Sequence, residues 1–226
     1  MYSWCIWFNW NVFINNFLSM KLSEALKVTG TLGRSGKMPC PTYNTPAQLC
    51  ITGSKLRKIN GSICHSCYAM KGNFLYPVVS EGLVKNFKAF KHEGFVKAMS
   101  FLINRYCKTH FRWFSSGDIE NMEALKKIVN ICQNTPKIKH WLPTKEGKIV
   151  SDYLKIHKNF PKNLTVRVSA TMIDGNPSRS FKLTSSVHHK KKAIGHECIA
   201  KFQNGKCLDC RKCWDQRIKN ISYHKH

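Results

Sequence analysis

The chain has 226 residues, which is long enough for one domain with a buried core and excludes a small protein that folds only around a metal. Its 37 Lys and Arg residues against 12 Asp and Glu residues give a formal net charge of +25. That charge indicates either a phosphate-rich partner, such as a nucleic acid or nucleotide, or a merely soluble basic surface.

The grouping of the cysteines along the chain indicates a reducing compartment. Most of the 11 cysteines fall into two groups that contain two-residue spacings typical of metal sites. The chain also lacks secretory features, so we predict free thiols rather than a disulfide framework and expect a cytoplasmic location.

Residues 1–19 contain no charged side chain and are rich in Trp, Phe and Asn. They have neither a basic leading segment nor a small-residue cleavage site, so we predict neither a signal peptide nor a membrane span. Because the sequence at Met20 is typical of a natural start, we interpret residues 1–19 as a non-native or disordered leader. An interfacial anchor is the alternative interpretation.

The chain continues with a short helical pattern and then an irregular loop. Residues 21–37 combine that helical pattern with a turn region. Residues 38–63 contain closely spaced Pro and Gly residues that prevent long regular structure, and we predict a cysteine-carrying loop over residues 38–72. A long irregular loop is usually functional or mobile. This one carries four cysteines, which are Cys40, Cys50, Cys64 and Cys67.

Helices and strands alternate in the middle of the chain. Residues 78–108 predict two helices that join near Glu93 and Gly94. Strands are predicted at residues 110–114, 138–142 and 164–171, with helices at residues 120–134 and 148–158 between them. This alternation implies parallel strand pairing through right-handed crossovers. We therefore predict an α/β fold, a partial parallel barrel-like sheet, in a core domain of residues 20–180.

Regular periodicity fades after Pro177. We therefore predict that residues 181–226 form a basic, cysteine-rich extension that binds metal. The basic run at residues 188–192 is either a solvated face or a site of phosphate contact.

Every predicted strand ends in polar residues, and ligands in parallel α/β folds bind at the carboxyl ends of strands. The polar ends lie at residues 115–118, 144–146 and 169–174. Asp118 is either a carboxylate of such a site or the N-cap of the helix that follows. Lys145 and Glu146 either belong to the same site or form a solvated turn.

The first cysteine group centres on Cys64 and Cys67, whose two-residue spacing lets both sulfurs point at one metal. Cys50 or Cys40 would supply a further ligand, while His65, inside the turn, would point outward. Thiolates select zinc or iron-sulfur clusters over hard cations.

The second cysteine group closes the chain and comprises Cys198, Cys207, Cys210 and Cys213. Its successive two-residue spacings are those that surround clusters in small ferredoxins, yet four thiolates would satisfy zinc equally well. A mixed site, in which Cys40 or Cys50 joins this group, also stays open. Cys107 and Cys132 lie on apolar helix faces and are predicted to be small core residues.

Several motifs resemble those of the phage gene product 88 family. They are GKMPCP at residues 36–41, CHSCYA at 64–69, RWFSSGD at 112–118, CLDCRKCW at 207–214 and YHKH at 223–226. The resemblance covers nearly the whole chain from Lys21 onward. It implies a protein of a phage or mobile element that works inside a bacterial or phage-infected host cell.

A second resemblance is to radical S-adenosylmethionine (radical SAM) enzymes, which have a partial parallel barrel and a three-cysteine loop after the first strand. Their loop ends in a Cys-x2-Cys pair beside an aromatic residue, as residues 64–68 do here. The chain departs from their pattern at Asn60, where they have the first cysteine, so Cys50 would substitute. It also has Asp118 at the position of the glutamate in their Gly-Gly-Glu motif.

This second resemblance implies a [4Fe-4S] cluster that chelates S-adenosylmethionine, and reductive cleavage to a radical that abstracts hydrogen from a substrate. An electron donor would be a partner, and the C-terminal cysteines would hold a second cluster or a structural metal. Asp118 would anchor the methionine amine and, with Lys145, is a candidate catalytic residue. The implied cofactor-binding positions are Ser116, Gly117, Asp118, Thr144 and Ser169.

The alternative function is a non-catalytic protein in which both cysteine groups bind zinc and the basic surface binds nucleic acid. Polar strand ends favour the enzyme, whereas the missing standard cysteine spacing favours the binding protein. We prefer the enzyme.

Overall fold

A computed structural model describes residues 20–225, so the leader proposed for residues 1–19 lies outside the part described. The helices within it are α1 (Leu22–Thr29), α2 (Ile51–Leu56), α3 (Pro77–Ala89), α4 (Phe95–Tyr106), α5 (Met122–Asn134) and α6 (Gly147–His157). The strands are β1 (Thr42–Tyr43), β2 (His110–Trp113), β3 (Lys139–Thr144), β4 (Leu164–Ile173), β5 (Thr184–His188), β6 (His196–Glu197) and β7 (Asn220–His224). No helix between Met20 and Lys225 combines the length and apolar character that a bilayer crossing requires.

The seven strands form one parallel sheet in the order β1-β2-β3-β4-β5-β7-β6. Its edges are β1 and β6, so the sheet is open rather than a closed barrel. This arrangement confirms the predicted α/β fold with a partial parallel barrel-like sheet. The two helices predicted to join near Glu93 and Gly94 are α3 and α4.

Helix α5 shows how the local sequence sets an element. Asn121 accepts a hydrogen bond from the Ala124 backbone amide at 2.9 Å and is therefore the N-cap. Its apolar stripe, including Leu125 and Ile128, is buried against the sheet. The alternative reading of Asp118 as this N-cap is wrong, because the helix begins at Met122.

Side-chain alternation along the strands divides the sheet into two faces. Phe111, Trp113 and Leu142 belong to the main hydrophobic core on the face covered by helices. Arg112 and Trp141 lie on the opposite face, where the guanidinium carbon of Arg112 is 4.5 Å from the centroid of the Trp141 ring. We call this second face the inner face.

The C-terminal segment packs onto the inner face. The indoles of Trp141 and Trp214 meet edge to face at 5.2 Å, and Trp214 Nε1 donates to the Phe111 carbonyl at 2.9 Å. Fully buried Arg167 of β4 donates hydrogen bonds to carbonyl oxygens of Thr184, Cys213, Asp215, Ile218 and Lys219. These contacts hold the segment that carries the second cysteine group.

The expectation that regular structure fades after Pro177 is wrong. Strands β5, β6 and β7 lie beyond it and extend the sheet. They are short and carry many polar side chains, such as Ser185, Ser186 and Ser222, which are nevertheless buried. Tertiary pairing, rather than an apolar pattern, therefore makes this region regular.

Candidate metal centre

The first cysteine group assembles in the loop that follows β1. Cys50 immediately precedes α2, and Cys64 and Cys67 share one turn in which the Cys67 amide donates to the Cys64 carbonyl at 3.3 Å. A β-carbon placed on Gly53 would lie 3.7 Å from the sulfurs of both Cys50 and Cys64. The two sulfurs therefore face the same small space, which the missing side chain of Gly53 leaves open.

Electrostatic interactions with Cys50 and Cys64 show that Cys67 lies near the same space. Burial raises the pKa of the Cys50 thiol to about 12, and the charges of Asp118, Cys67 and Cys64 raise it further. Burial also raises the pKa of Cys64, which nearby Lys145 lowers and Cys67 raises. Thiols whose pKa is raised are mostly protonated at neutral pH, and they are poor nucleophiles unless a cation or a bound metal stabilises the thiolate.

Asp118 joins the ends of β2 and β3. Its carboxylate accepts hydrogen bonds from Thr144 Oγ1 at 2.5 Å, the Lys145 amide at 2.8 Å and the Ile119 amide at 2.8 Å. Burial raises the pKa of the carboxyl group to about 6, and these hydrogen bonds oppose the shift. Part of its surface stays exposed.

Lys145 reaches the same space from the end of β3. Its ammonium group donates to the Ala170 carbonyl of β4 at 2.9 Å. Burial lowers the pKa of Lys145, while the neighbouring thiols Cys64, Cys67 and Cys50 and the carboxyl group of Asp118 raise it. The structure thus brings the three thiols, Asp118 and Lys145 together.

Glu146 positions the cysteine loop. It is only 6% exposed, so the solvated-turn reading is wrong for this residue. Its carboxylate accepts hydrogen bonds from both the amide and the hydroxyl of Thr52, each at 2.8 Å. Thr52 lies in the first turn of α2, two residues after Cys50, so this contact holds the start of α2 against the end of β3.

The other predicted cofactor-binding residues lie nearby with hydroxyl groups already engaged. Ser116 Oγ donates to the Thr45 carbonyl at 2.9 Å, and Ser169 Oγ is 3.0 Å from Ser185 Oγ. Gly117 has a φ of +85°, and a β-carbon there would lie 2.7 Å from the carbonyl oxygen of Thr45. The hydrogen bond of Ser116 and the close approach of Gly117 to Thr45 thus hold the loop after β2 against the loop after β1.

The second cysteine group assembles on the inner face. Burial raises the pKa of the Cys207 thiol, and the thiols of Cys198 and Cys210 raise it further. Burial likewise raises the pKa of the Cys213 thiol to about 12, and the thiols of Cys198 and Cys207 raise it further. Cys213 Sγ also lies 3.3 Å from the hydroxyl of Tyr223 on β7.

Cys40 belongs with the second group. It packs with Trp141 and Trp214, and its thiol pKa, raised by burial to about 12, also responds to the charges of Arg112 and Cys207. Cys50 is therefore the loop cysteine that accompanies Cys64 and Cys67.

Sequence reasoning missed two contributors to these groups. Gly53 provides space for two sulfurs, and Arg112 contributes positive charge near Cys40, Cys207 and Cys213. Nothing in the local sequence distinguishes Gly53 from an ordinary turn glycine. Cys107 and Cys132 are buried core residues, as predicted.

Comparison with known proteins gives one family. The sequence pattern described as gene product 88 matches residues 17–216. The chain belongs to the phage gene product 88 family. No curated protein and no solved structure matches it significantly. The match includes both cysteine groups of this gene product 88 family member and ends before β7.

Proposed function

We propose that this member of the gene product 88 family is an iron-sulfur enzyme in which Cys50, Cys64 and Cys67 bind a [4Fe-4S] cluster. One observation carries the proposal: the three thiols converge beside Asp118 and Lys145, at the carboxyl ends of the parallel strands. The use of S-adenosylmethionine rests on the resemblance to radical SAM enzymes and stays a prediction.

The donor set fits a cluster. Three thiols leave one iron of a [4Fe-4S] cluster for an external ligand, and all three are free cysteines. Tetrahedral zinc with Zn–S bonds of about 2.3 Å would bring its sulfurs within about 4 Å of one another. In the described part of the chain, no three thiols lie mutually within 4.8 Å. That separation is compatible with thiolates that bind different irons of one cluster.

A bound cluster would supply electrons for reductive cleavage of S-adenosylmethionine. Lys145 would place a positive charge beside the thiolates, because its pKa responds to all three thiols. Asp118, beside Cys50 and Cys64, would accept a hydrogen bond from the ammonium group of the methionine moiety. The hydroxyl groups of Thr144 and Ser169 would border this pocket.

The first test is anaerobic reconstitution with iron and sulfide, followed by metal and sulfide analysis. We expect Cys64→Ala to lose the iron and sulfide of one cluster, together with its electron paramagnetic resonance (EPR) signal after reduction. Cys132→Ala, a core thiol outside both groups, should retain wild-type content. A second chromophore that survives Cys64→Ala would belong to the C-terminal group. A colourless, sulfide-free, zinc-loaded protein would overturn the proposal.

The second test concerns S-adenosylmethionine. Adding it to the reduced protein should change the EPR spectrum of the cluster, and turnover with a chemical reductant should release 5′-deoxyadenosine. Asp118→Asn should weaken binding of S-adenosylmethionine while preserving iron content. A cluster that is indifferent to S-adenosylmethionine would leave an iron-sulfur protein of another class.

A second candidate function, nucleic-acid binding, is favoured by a basic groove of about 750 Å³ at the amino ends of β2, β3 and β4. Its cationic lining residues are Lys137, Lys139, Lys162, Arg211, Lys212 and Arg217. Asp215 also lines the groove, and it is 2.8 Å from Arg217 in an ion pair. The remaining positive charge suits a phosphate backbone.

Salt dependence tests this second function. If the groove contacts phosphates, replacing Lys137 and Lys162 with Ala should lower the slope of log affinity against log salt by about 2 for both DNA and RNA probes. Replacing Lys148 and Lys155, which pair with Asp152 on α6, is the matched control. A wild-type affinity that does not change with salt would exclude phosphate binding.

A further inference from the structure

The outer, helix-side face of the sheet carries a cluster that neither cysteine group includes. His188, Glu197 and His224 each offer one ligand atom, and these atoms all lie within 4.8 Å of one another. Glu197 Oε1 is 2.8 Å from His224 Nε2 and 3.5 Å from His188 Nε2. The two imidazole rings lie 4.2 Å apart between centroids.

The parallel strands place these side chains together. His188 ends β5 and pairs in register with His224, which ends β7, while Glu197 of β6 pairs with Ser222 of β7. Paired residues point to the same face, and Ser222 shares its face with His224 two positions later. The three side chains therefore meet on one face through backbone pairing.

Neighbouring polar groups orient the ligands. Ser222 Oγ is 2.8 Å from His188 Nδ1, which leaves the Nε2 atom of His188 directed at Glu197. His224 Nε2 is buried, and no group between residues 20 and 225 gives it a well-aligned hydrogen bond, even though Glu197 is close. A support that fixes an imidazole through its second nitrogen is characteristic of metal sites.

We propose that His188, Glu197 and His224 bind one divalent transition-metal ion. Two imidazole nitrogens and one carboxylate oxygen suit a borderline cation such as Zn²⁺ or Fe²⁺ rather than Mg²⁺ or Ca²⁺. Donors bound at about 2.0–2.2 Å lie about 3 Å or more apart, close to the observed separations. Three protein ligands leave a coordination position for water or a substrate.

This site is distinct from the second cysteine group, although Cys198 follows Glu197 directly. Cys213 contacts Tyr223, which lies between Ser222 and His224 and therefore points to the inner face. Successive residues of β7 thus serve the two groups on opposite faces. The proposal is independent of the iron-sulfur function.

The test uses the full chain after chelator treatment, titrated anaerobically with Zn²⁺ by calorimetry and with Co²⁺ by absorption spectroscopy. We expect Glu197→Gln to remove one binding equivalent or weaken it about 100-fold, while thiolate-to-cobalt charge-transfer bands persist. Ser222→Ala should weaken the same equivalent about 10-fold. His189→Ala is the matched control, since this exposed neighbour lies outside the cluster.

Glu197 is 45% exposed on its side chain, so its substitution is compatible with folding even if His188→Ala is not. Unchanged stoichiometry and affinity in Glu197→Gln would overturn the proposal and leave a hydrogen-bonded histidine-carboxylate cluster. Loss of the thiolate charge-transfer bands in Glu197→Gln would also overturn it, because the ion would then belong to the cysteine group.

Discussion

Replacing Gly117 with Ala should disrupt the contact between the loop that follows β1 and the loop that follows β2. The new β-carbon would lie 1.9 Å from Thr45 Oγ1, 2.7 Å from the Thr45 carbonyl oxygen and 2.9 Å from its carbonyl carbon. The hydroxyl group can rotate away, but the carbonyl group can move only with its backbone. The φ of +85° adds strain for any residue with a β-carbon.

The cost follows from these contacts. The unfavourable backbone conformation costs about 1–2 kcal/mol. Separating the loops removes the hydrogen bonds from the Thr45 amide to the Ser116 carbonyl and from Ser116 Oγ to the Thr45 carbonyl, each worth about 1 kcal/mol. We therefore expect Gly117→Ala to lower the free energy of unfolding by about 3–4 kcal/mol.

Urea unfolding followed by circular dichroism measures this change. Gly82→Ala in α3 is the matched control, because no atom lies within 4 Å of its added β-carbon, and it should stabilise the protein by about 0.5–1 kcal/mol. Adding Thr45→Ala to Gly117→Ala should recover only part of the loss, since the backbone clash remains. A Gly117→Ala midpoint equal to that of wild type would refute the steric reasoning.

Three further predictions concern buried polar residues. Burial lowers the pKa of His140 to about 3 from 6.5. The contribution of the neutral, buried imidazole to the free energy of unfolding is complete above pH 6.5 and is lost as pH falls towards 3. Urea titrations should show that wild type loses about 2 kcal/mol more than His140→Gln between about pH 7.5 and about pH 5. Arg167→Met should cost about 3–5 kcal/mol by the same measurement, because five carbonyl groups lose their donor, whereas exposed Arg217→Met should change stability by under about 0.5 kcal/mol. Asn86→Ala should lower the melting temperature, because Asn86 accepts from the Thr31 amide and donates to the carbonyls of Thr31 and Asn44, while Lys85→Ala should not.

Local pattern was sufficient for much of the fold. The apolar stripe of α5 and the alternation along β2 each carry a periodicity that only one type of secondary structure buries on a single face. Strands that alternate with helices pair in parallel, so the open parallel sheet followed from the same patterns. The positions of Asp118 and Lys145 at strand ends were readable for the same reason.

The strands after Pro177 could not be predicted from local sequence patterns. Ser186, Ser222 and His188 are buried although they are polar, because they hydrogen-bond to one another across paired strands. A polar residue that satisfies its hydrogen bonds with a distant strand carries no local signal of burial. The histidine-glutamate cluster of β5, β6 and β7 stayed invisible for that reason.

The spacing of the cysteines was enough to divide them into two groups, because thiols two residues apart share one turn. Which group Cys40 and Cys50 each join depends on the tertiary structure. Cys40 and Cys50 stand on opposite sides of β1, and the chain direction of that short strand sends Cys40 to the inner face with Cys207 and Cys50 to the strand ends with Cys64. Sequence spacing records distance along the chain, whereas a ligand set depends on distance through space.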